Sequence, residues 1–306
     1  MPNPQAVLIM GATATGKTDL AVKLAEQFPV ELISVDSALI YREMNVGTAK
    51  PGQDVLNKTP HYLVDILDPN ESWSAWEFVQ QASQLIREIN ARGNIPVLVG
   101  GTMMYFNALE QGLNDLPMAD EETRSILNER LQNEGLAVLY EQLIKVDVAT
   151  AAKVKSTDPQ RIMRALEVFQ LTGKPMSKLL QQARNRPEFD FKRVILDVPV
   201  RTELHQRIEQ RFEIMMDQGF EQEVMALRNR GDLNLEMPSM RCVGYRQMWQ
   251  YLEGNLSYQE MVSKSVIATR QLAKRQLTWL RKYEQVMRLD YRNYSYSEVC
   301  QYLNLD

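Results

Sequence analysis

Two hydrophobic periodicities alternate along the chain, and the switch between them divides it. Ala6–Met10 is a short apolar run of the kind found in a buried parallel strand, and Asp19–Phe28 follows with helical spacing. Glu31–Val35 is a second strand-like run, ending at Asp36. A helix rich in Gln and Glu spans Trp76–Arg92, breaks at Gly93-Asn94, and leads to a third strand, Ile95–Val99, stopped by Gly100-Gly101. This alternation predicts an α/β fold with a parallel sheet. From Asn114 to Arg186 the pattern is almost wholly helical, with stops at Gly135, Gly173 and Pro175. Thr157-Asp158-Pro159 opens one of these helices with a capping oxygen and a first-turn proline. A strand returns at Arg193–Val198, and helices over Thr202–Gln218, Glu221–Arg230 and Tyr258–Tyr283 complete the chain. The expected organisation is an α/β core, residues 1–113 and 190–306, interrupted by a helical insertion over 114–189.

The 306 residues are 44% hydrophobic and 24% charged, which sets aside a disordered or fibrous chain. The longest apolar runs fall far short of the roughly 20 residues of a membrane span. Met1–Gln5 has no basic leader region, so a cytoplasmic location and no membrane partner are expected. Cys242 and Cys300 form no CxxC, and His61 and His205 stand alone, so thiolate or imidazole metal chemistry has little to work with. The net charge of −4 conceals an asymmetry. Between Lys264 and Arg292 eight basic residues face two acidic ones, while the remainder of the chain is acidic. A basic block of this kind points to a polyanion, or else to an ordinary solvated helix face.

Gly11-Ala12-Thr13-Ala14-Thr15-Gly16-Lys17-Thr18 matches G-x-x-x-x-G-K-[ST], with a strand before it and a helix after it. In such a loop, backbone N–H groups and the helix N-terminus cradle phosphates, the lysine adds a full charge, and the Thr18 hydroxyl can ligate Mg2+. The strand ending at Gly100-Gly101-Thr102 supplies no carboxylate for the metal. Asp36, at another strand end, is a candidate metal ligand or base, or a turn residue.

At Asp36–Tyr41 and Val46–Pro51 the sequence resembles the tRNA dimethylallyltransferases, bacterial type. Gly100–Tyr105, Asp158–Glu167, Thr172–Pro175, Arg241–Arg246 and Thr269–Arg281 are similar to further segments of that family, in the same order. Ala12, Thr15, Leu39, Met103 and Cys242 depart from its commoner residues. The resemblance implies a P-loop NTPase-like core with an insertion domain that contacts tRNA. The implied reaction moves a dimethylallyl group from dimethylallyl diphosphate to N6 of the adenosine 3′-adjacent to the anticodon, in tRNAs reading codons that begin with U. Asp36 would be the general base, Gly11–Thr18 and Arg211 would hold the diphosphate with Mg2+, and the chain would act as a monomer. The anticodon stem-loop would meet Asp36, Ser37, Ala38 and Leu39, with Thr102 and Arg124. It would also meet Gln160, Arg161, Ile162, Met163 and Arg164 of the insertion, and Arg241, Cys242, Val243, Gly244, Tyr245 and Arg246. On the last helix the implied contacts are Arg270, Lys274, Arg275, Gln276, Leu277, Thr278, Trp279, Leu280 and Arg281.

Helical spacing independently places Arg270, Lys274 and Arg281 in one sector, beside a stripe of Val262, Val266, Ala273, Leu277 and Leu280 expected to face the core. A P-loop small-molecule or nucleotide kinase would use the phosphate loop and Asp36 but leave this basic ridge idle. A non-catalytic RNA-binding module would use the ridge and not the loop.

Overall fold

The structure, a computed structural model, describes residues 5–184, 186 and 189–305; expectations placed on Met1–Pro4, Asn185, Pro187, Glu188 and Asp306 lie outside them. The chain divides into two compact units, Met1–Glu110 with Glu188–Asp306, and Gln111–Pro187. The first unit begins with β1 (Gln5–Gly11), α1 (Lys17–Gln27), β2 (Val30–Val35), α2 (Gln53–Lys58), β3 (His61–Tyr62), α3 (Ala75–Ala91), β4 (Ile95–Gly100) and α4 (Met103–Gln111). The second unit contains α5 (Glu121–Glu134), α6 (Leu136–Val146), α7 (Val148–Ala151), α8 (Pro159–Thr172) and α9 (Met176–Leu179). The first then resumes with β5 (Asp190–Asp197), α10 (Arg201–Asp217), α11 (Phe220–Asn229), α12 (Tyr245–Leu252), α13 (Tyr258–Leu280), β6 (Met287–Asp290) and α14 (Tyr296–Leu303).

The strands form one parallel sheet in the order β3-β2-β4-β1-β5-β6. Val7 and Ile9 of β1 pack with Leu20 and Leu24 of α1 and with Val299 and Leu303 of α14. Leu8 and Met10 alternate with them and are equally buried, while α3 and α13 also pack against β1. A strand covered on both faces has no polar position, which is why β1 reads as an unbroken apolar run. Both α3 and α13 begin with a capping box, Ser74 with Glu77 and Ser257 with Glu260.

Register decides where the chemistry goes. Gly100 lies opposite Met10 on one side and Val35 on the other. Gly11, Gly101 and Asp36 therefore leave the sheet at one level along its carboxyl edge, where open α/β sheets place their ligands.

Helix α13 does not complete the chain, as its pattern suggested. β6 pairs with β5 and α14 covers the core beyond it. β6 has four residues of which only Leu289 is buried, too little to register as a hydrophobic period. The short elements α2 and β3, with no buried residue, were invisible for the same reason, whereas α12 was missed although Tyr245, Met248 and Trp249 are buried at helical spacing. In α13, Met261 and Ser265 are buried while Val262 is only half-buried, a small rotation of the expected stripe.

The second unit has its own core of Leu127, Leu139, Leu143, Ala151, Ile162, Ala165 and Leu166. Asp158 caps α8 by accepting the Arg161 N–H, Pro159 occupies the first turn, and Gly173 ends the helix at φ 66°. Among the described residues no helix is long and apolar enough to cross a membrane.

Candidate functional site

The phosphate loop is wound tightly at the start of α1. Gly16 has φ 80° and Ala14, unusually for a residue with a side chain, φ 64°. The Thr15 hydroxyl donates to the Ala12 carbonyl at 2.8 Å, and Lys17 Nζ reaches the same oxygen at 3.3 Å. Burial lowers the Lys17 ammonium to about 8; the Asp36 carboxylate opposes that shift and the Arg211 charge reinforces it. Thr13 is held twice, its N–H donating to Gln276 Oε1 at 2.9 Å and its hydroxyl accepting from Arg211 Nη1 at 3.3 Å. Burial also lowers Arg211, against the charges of Asp36 and Asp19.

Asp36 follows β2. Its Oδ1 accepts the N–H groups of Ala38 at 2.9 Å and Leu39 at 3.4 Å, so it closes a turn. Its Oδ2 has no hydrogen-bond partner among the described residues. Thr102 ties the neighbouring strand end to this turn: its N–H donates to the Val35 carbonyl and its hydroxyl accepts the Ser37 N–H, both at 3.1 Å. Burial pushes the nearby Tyr41 phenol and Cys242 thiol up to about 12 and raises the Tyr105 phenol; the Asp36 charge raises Tyr105 and Cys242 further. These neighbours stay protonated at neutral pH.

The Val46–Pro51 segment is clamped from both sides. Lys50 Nζ donates to the Tyr41 carbonyl and to Asn45 Oδ1, each at 2.9 Å, and pairs with Asp65. Glu223 of α11 accepts the N–H groups of Asn45, Val46 and Gly47 at 2.7–3.0 Å, and the Tyr245 hydroxyl at 2.6 Å. A Cβ on Gly47 would come within 2.1 Å of the Phe220 ring, so only glycine fits. One residue further on, the Thr48 carbonyl accepts from Arg211 Nη2 at 3.3 Å.

Several side chains expected at the RNA surface are engaged within the fold. Leu277 and Leu280 are 8% and 1% exposed and Ile162 is 0% exposed, so each is committed to a core. Tyr245 is buried against Phe220, and Gln276 is turned inward to the phosphate loop. Gly244, at φ 92°, starts α12. Arg270 is paired with Glu209 of α10 at 2.5 Å and is not the free cation its spacing suggested. Lys274, Arg275, Thr278 and Arg281 are exposed, and Lys282 sits over the partly exposed Trp279 ring. In the second unit Gln160 and Arg161 are exposed, Arg161 paired with Asp158, and Met163 is half-buried. Arg124 and Arg164 both bind the buried Glu167 carboxylate, at 2.8 and 2.7 Å. Of the third stretch, Arg241 is exposed, while Cys242, Val243 and Arg246 are partly covered.

Comparison with known proteins adds to this geometry. The sequence matches the IPP transferase family over residues 39–283. The chain belongs to that family. It is 35% identical to a solved tRNA isopentenylpyrophosphate transferase from Bacillus halodurans, covering 99% of this chain and 95% of that one with a TM-score of 0.70. A tRNA delta(2)-isopentenylpyrophosphate transferase from Staphylococcus epidermidis is 31% identical over 99% of both chains, also with a TM-score of 0.70. A eukaryotic dimethylallyltransferase acting on tRNA is 25% identical, with a TM-score of 0.79 over 98% of this chain and 77% of that one. The IPP transferase match begins at Leu39, after the phosphate loop and Asp36, whereas the structural matches span nearly the whole chain.

Sequence reasoning missed Glu223, which shares the first turn of α11 with Glu221 and which no motif distinguishes from it. Its importance comes from four converging donors, which exist only after folding. Glu223→Ala should cost about 3 kcal/mol of stability, because hydrogen bonds to a charged acceptor are removed and the loop amides are left without a partner. Hydrogen exchange at the Asn45, Val46 and Gly47 amides should accelerate about tenfold or more. Unchanged exchange at those amides would show that the clamp does not hold the loop.

Proposed function

We propose that this tRNA prenyltransferase moves a dimethylallyl group from dimethylallyl diphosphate to N6 of the adenosine 3′-adjacent to the anticodon, in tRNAs reading UNN codons, with release of diphosphate. The observation that carries this reading is the Asp36 carboxylate: one oxygen fixed by the turn, the other without a protein partner, beside a phosphate loop. An exocyclic adenine amine is a weak nucleophile, since its lone pair is delocalised into the ring. As N6 bonds to C1 of the donor, the C1–O bond breaks, the electron pair leaves with diphosphate, and Asp36 Oδ2 takes the N6 proton. Amides of Ala14–Thr18, Lys17 and Arg211 offset the charge that grows on the leaving group.

The Thr18 hydroxyl lies in the first turn of α1, and no protein group bonds it among the described residues. Mg2+ binds through one or two protein oxygens plus phosphate oxygens, so this donor suits it; no cluster of three acidic, His or Cys residues competes for it among the described residues. When bound, the ion would neutralise charge on the departing diphosphate. Exposed Lys274, Arg275 and Arg281 supply a cationic surface on α13 for a polyanion, and a stacked target base must be turned out of its loop to reach Asp36. Phosphoryl transfer from ATP has no place in this scheme.

Asp36→Asn keeps an oxygen for the Ala38 and Leu39 amides but cannot accept the proton. Single-turnover rates should fall by about 10²–10⁴ with tRNA affinity within a few-fold; a rate near wild type would remove Asp36 from the reaction.

Lys17 titrates at about 8 in the free protein, and a bound polyanion favours its charged form. Dimethylallyl diphosphate affinity should therefore fall as pH rises through 8, with proton uptake on binding. Lys17→Met should bind weakly and lack that inflection, which calorimetry in buffers of different ionisation enthalpy can read.

For tRNA, Lys274→Ala with Arg275→Ala should flatten the log–log salt dependence of binding by about 1 for each phosphate no longer neutralised. Arg270→Ala should change it less, its charge being already spent on Glu209. Superimposable slopes for the double variant and wild type would assign those charges to solvent.

A further inference from the structure

Gln276 lies in the stretch of α13 whose outward residues are basic, yet it is 8% exposed and points the other way. Both ends of its carboxamide are engaged. Oε1 accepts the Thr13 N–H of the phosphate loop at 2.9 Å, and Nε2 donates to the Gly101 carbonyl at 2.9 Å. A buried amide without partners is costly, so its two bonds fix the side chain and, through it, two strand ends. The space is also tight: a Cβ on Gly101 would sit 2.5 Å from Gln276 Nε2.

We infer that Gln276 is a positioning residue for the diphosphate site rather than an RNA contact. It sets the backbone of Thr13, and Thr13 in turn presents its hydroxyl to Arg211. This rests on the reading of Gly11–Thr18 as the diphosphate cradle. Helix α13 thereby carries two separate tasks on opposite faces. Lys274 and Arg275 face outward to a polyanion, and Gln276 reaches inward to the loop and to the turn after β4.

The test separates the two tasks in the full-length protein. Calorimetry with dimethylallyl diphosphate and Mg2+ is run on wild type, Gln276→Met, Gly101→Ala and the double variant. tRNA affinity and Thr13 amide exchange are measured alongside. Gln276→Met should weaken diphosphate binding about tenfold, deprotect the Thr13 amide, and leave tRNA affinity within about twofold. Gly101→Ala acts from outside the cradle by displacing the carboxamide, so it should weaken diphosphate binding too, and the double variant should lose no more than the worse single. Wild-type diphosphate affinity with weakened tRNA binding in Gln276→Met would make the residue an RNA contact and overturn the inference. Additive losses in the double variant would overturn it as well. Failure of the wild type to bind the diphosphate would instead sink the cradle itself.

Discussion

Val35 and Gly100 face each other across β2 and β4, so closely that a Cβ on Gly100 would lie 2.1 Å from the Val35 carbonyl oxygen. Thr102, two residues past Gly100, then ties the strand ends together, donating its N–H to the Val35 carbonyl and accepting the Ser37 N–H at its hydroxyl. With β1 on the other side of β4, this close approach brings the base candidate and the phosphate loop to one edge. A side chain at Gly100 would spread β2 from β4 and move Asp36 away from the Gly11–Thr18 loop. The geometry of the candidate site is in that sense a property of the sheet.

Around that edge, the charged groups are held by neutral or opposite partners. Lys17 and Arg211 are drawn out of bulk water together and both are destabilised by it, with Asp36 and Asp19 the opposing charges. For both cations desolvation outweighs the nearby carboxylates, so a polyanion bound beside them restores part of what burial costs. Glu223 and Lys50 keep the adjoining segment in place, the first by collecting amides and the second by filling carbonyl and carboxylate oxygens. Side chains outside the Gly11–Thr18 loop thus fix the segment that Arg211 also holds.

The second unit follows the same logic on a smaller scale. Glu167 is almost fully buried and takes its bonds from Arg124, Arg164 and the Asp120 N–H. Arginine has five donors in a planar fork, so a guanidinium anchored by one or two of them still offers the others outward. Arg124 and Arg164 are oriented by the core they sit on, whereas Arg161 is held only at the surface by Asp158.

The sequence alone determined the elements with long periods and the motifs whose chemistry is local. Ala6–Met10, Trp76–Arg92 and Tyr258–Tyr283 were legible because burial imposes a repeating pattern on contiguous residues. Gly11–Thr18 was legible because a phosphate cradle is made of consecutive backbone amides. The tertiary structure alone decided which members of a motif face outward. Arg270 and Gln276 sit in one contiguous stretch with Lys274 and Arg275, but α13 turns them toward Glu209 and the phosphate loop, whereas the burial of Leu277 and Leu280 followed from their spacing. The pairing of Glu223 with Asn45–Gly47 and the docking of β6 and α14 were likewise hidden. Each depends on residues far apart in the chain, and no pattern within either partner encodes the distance between them.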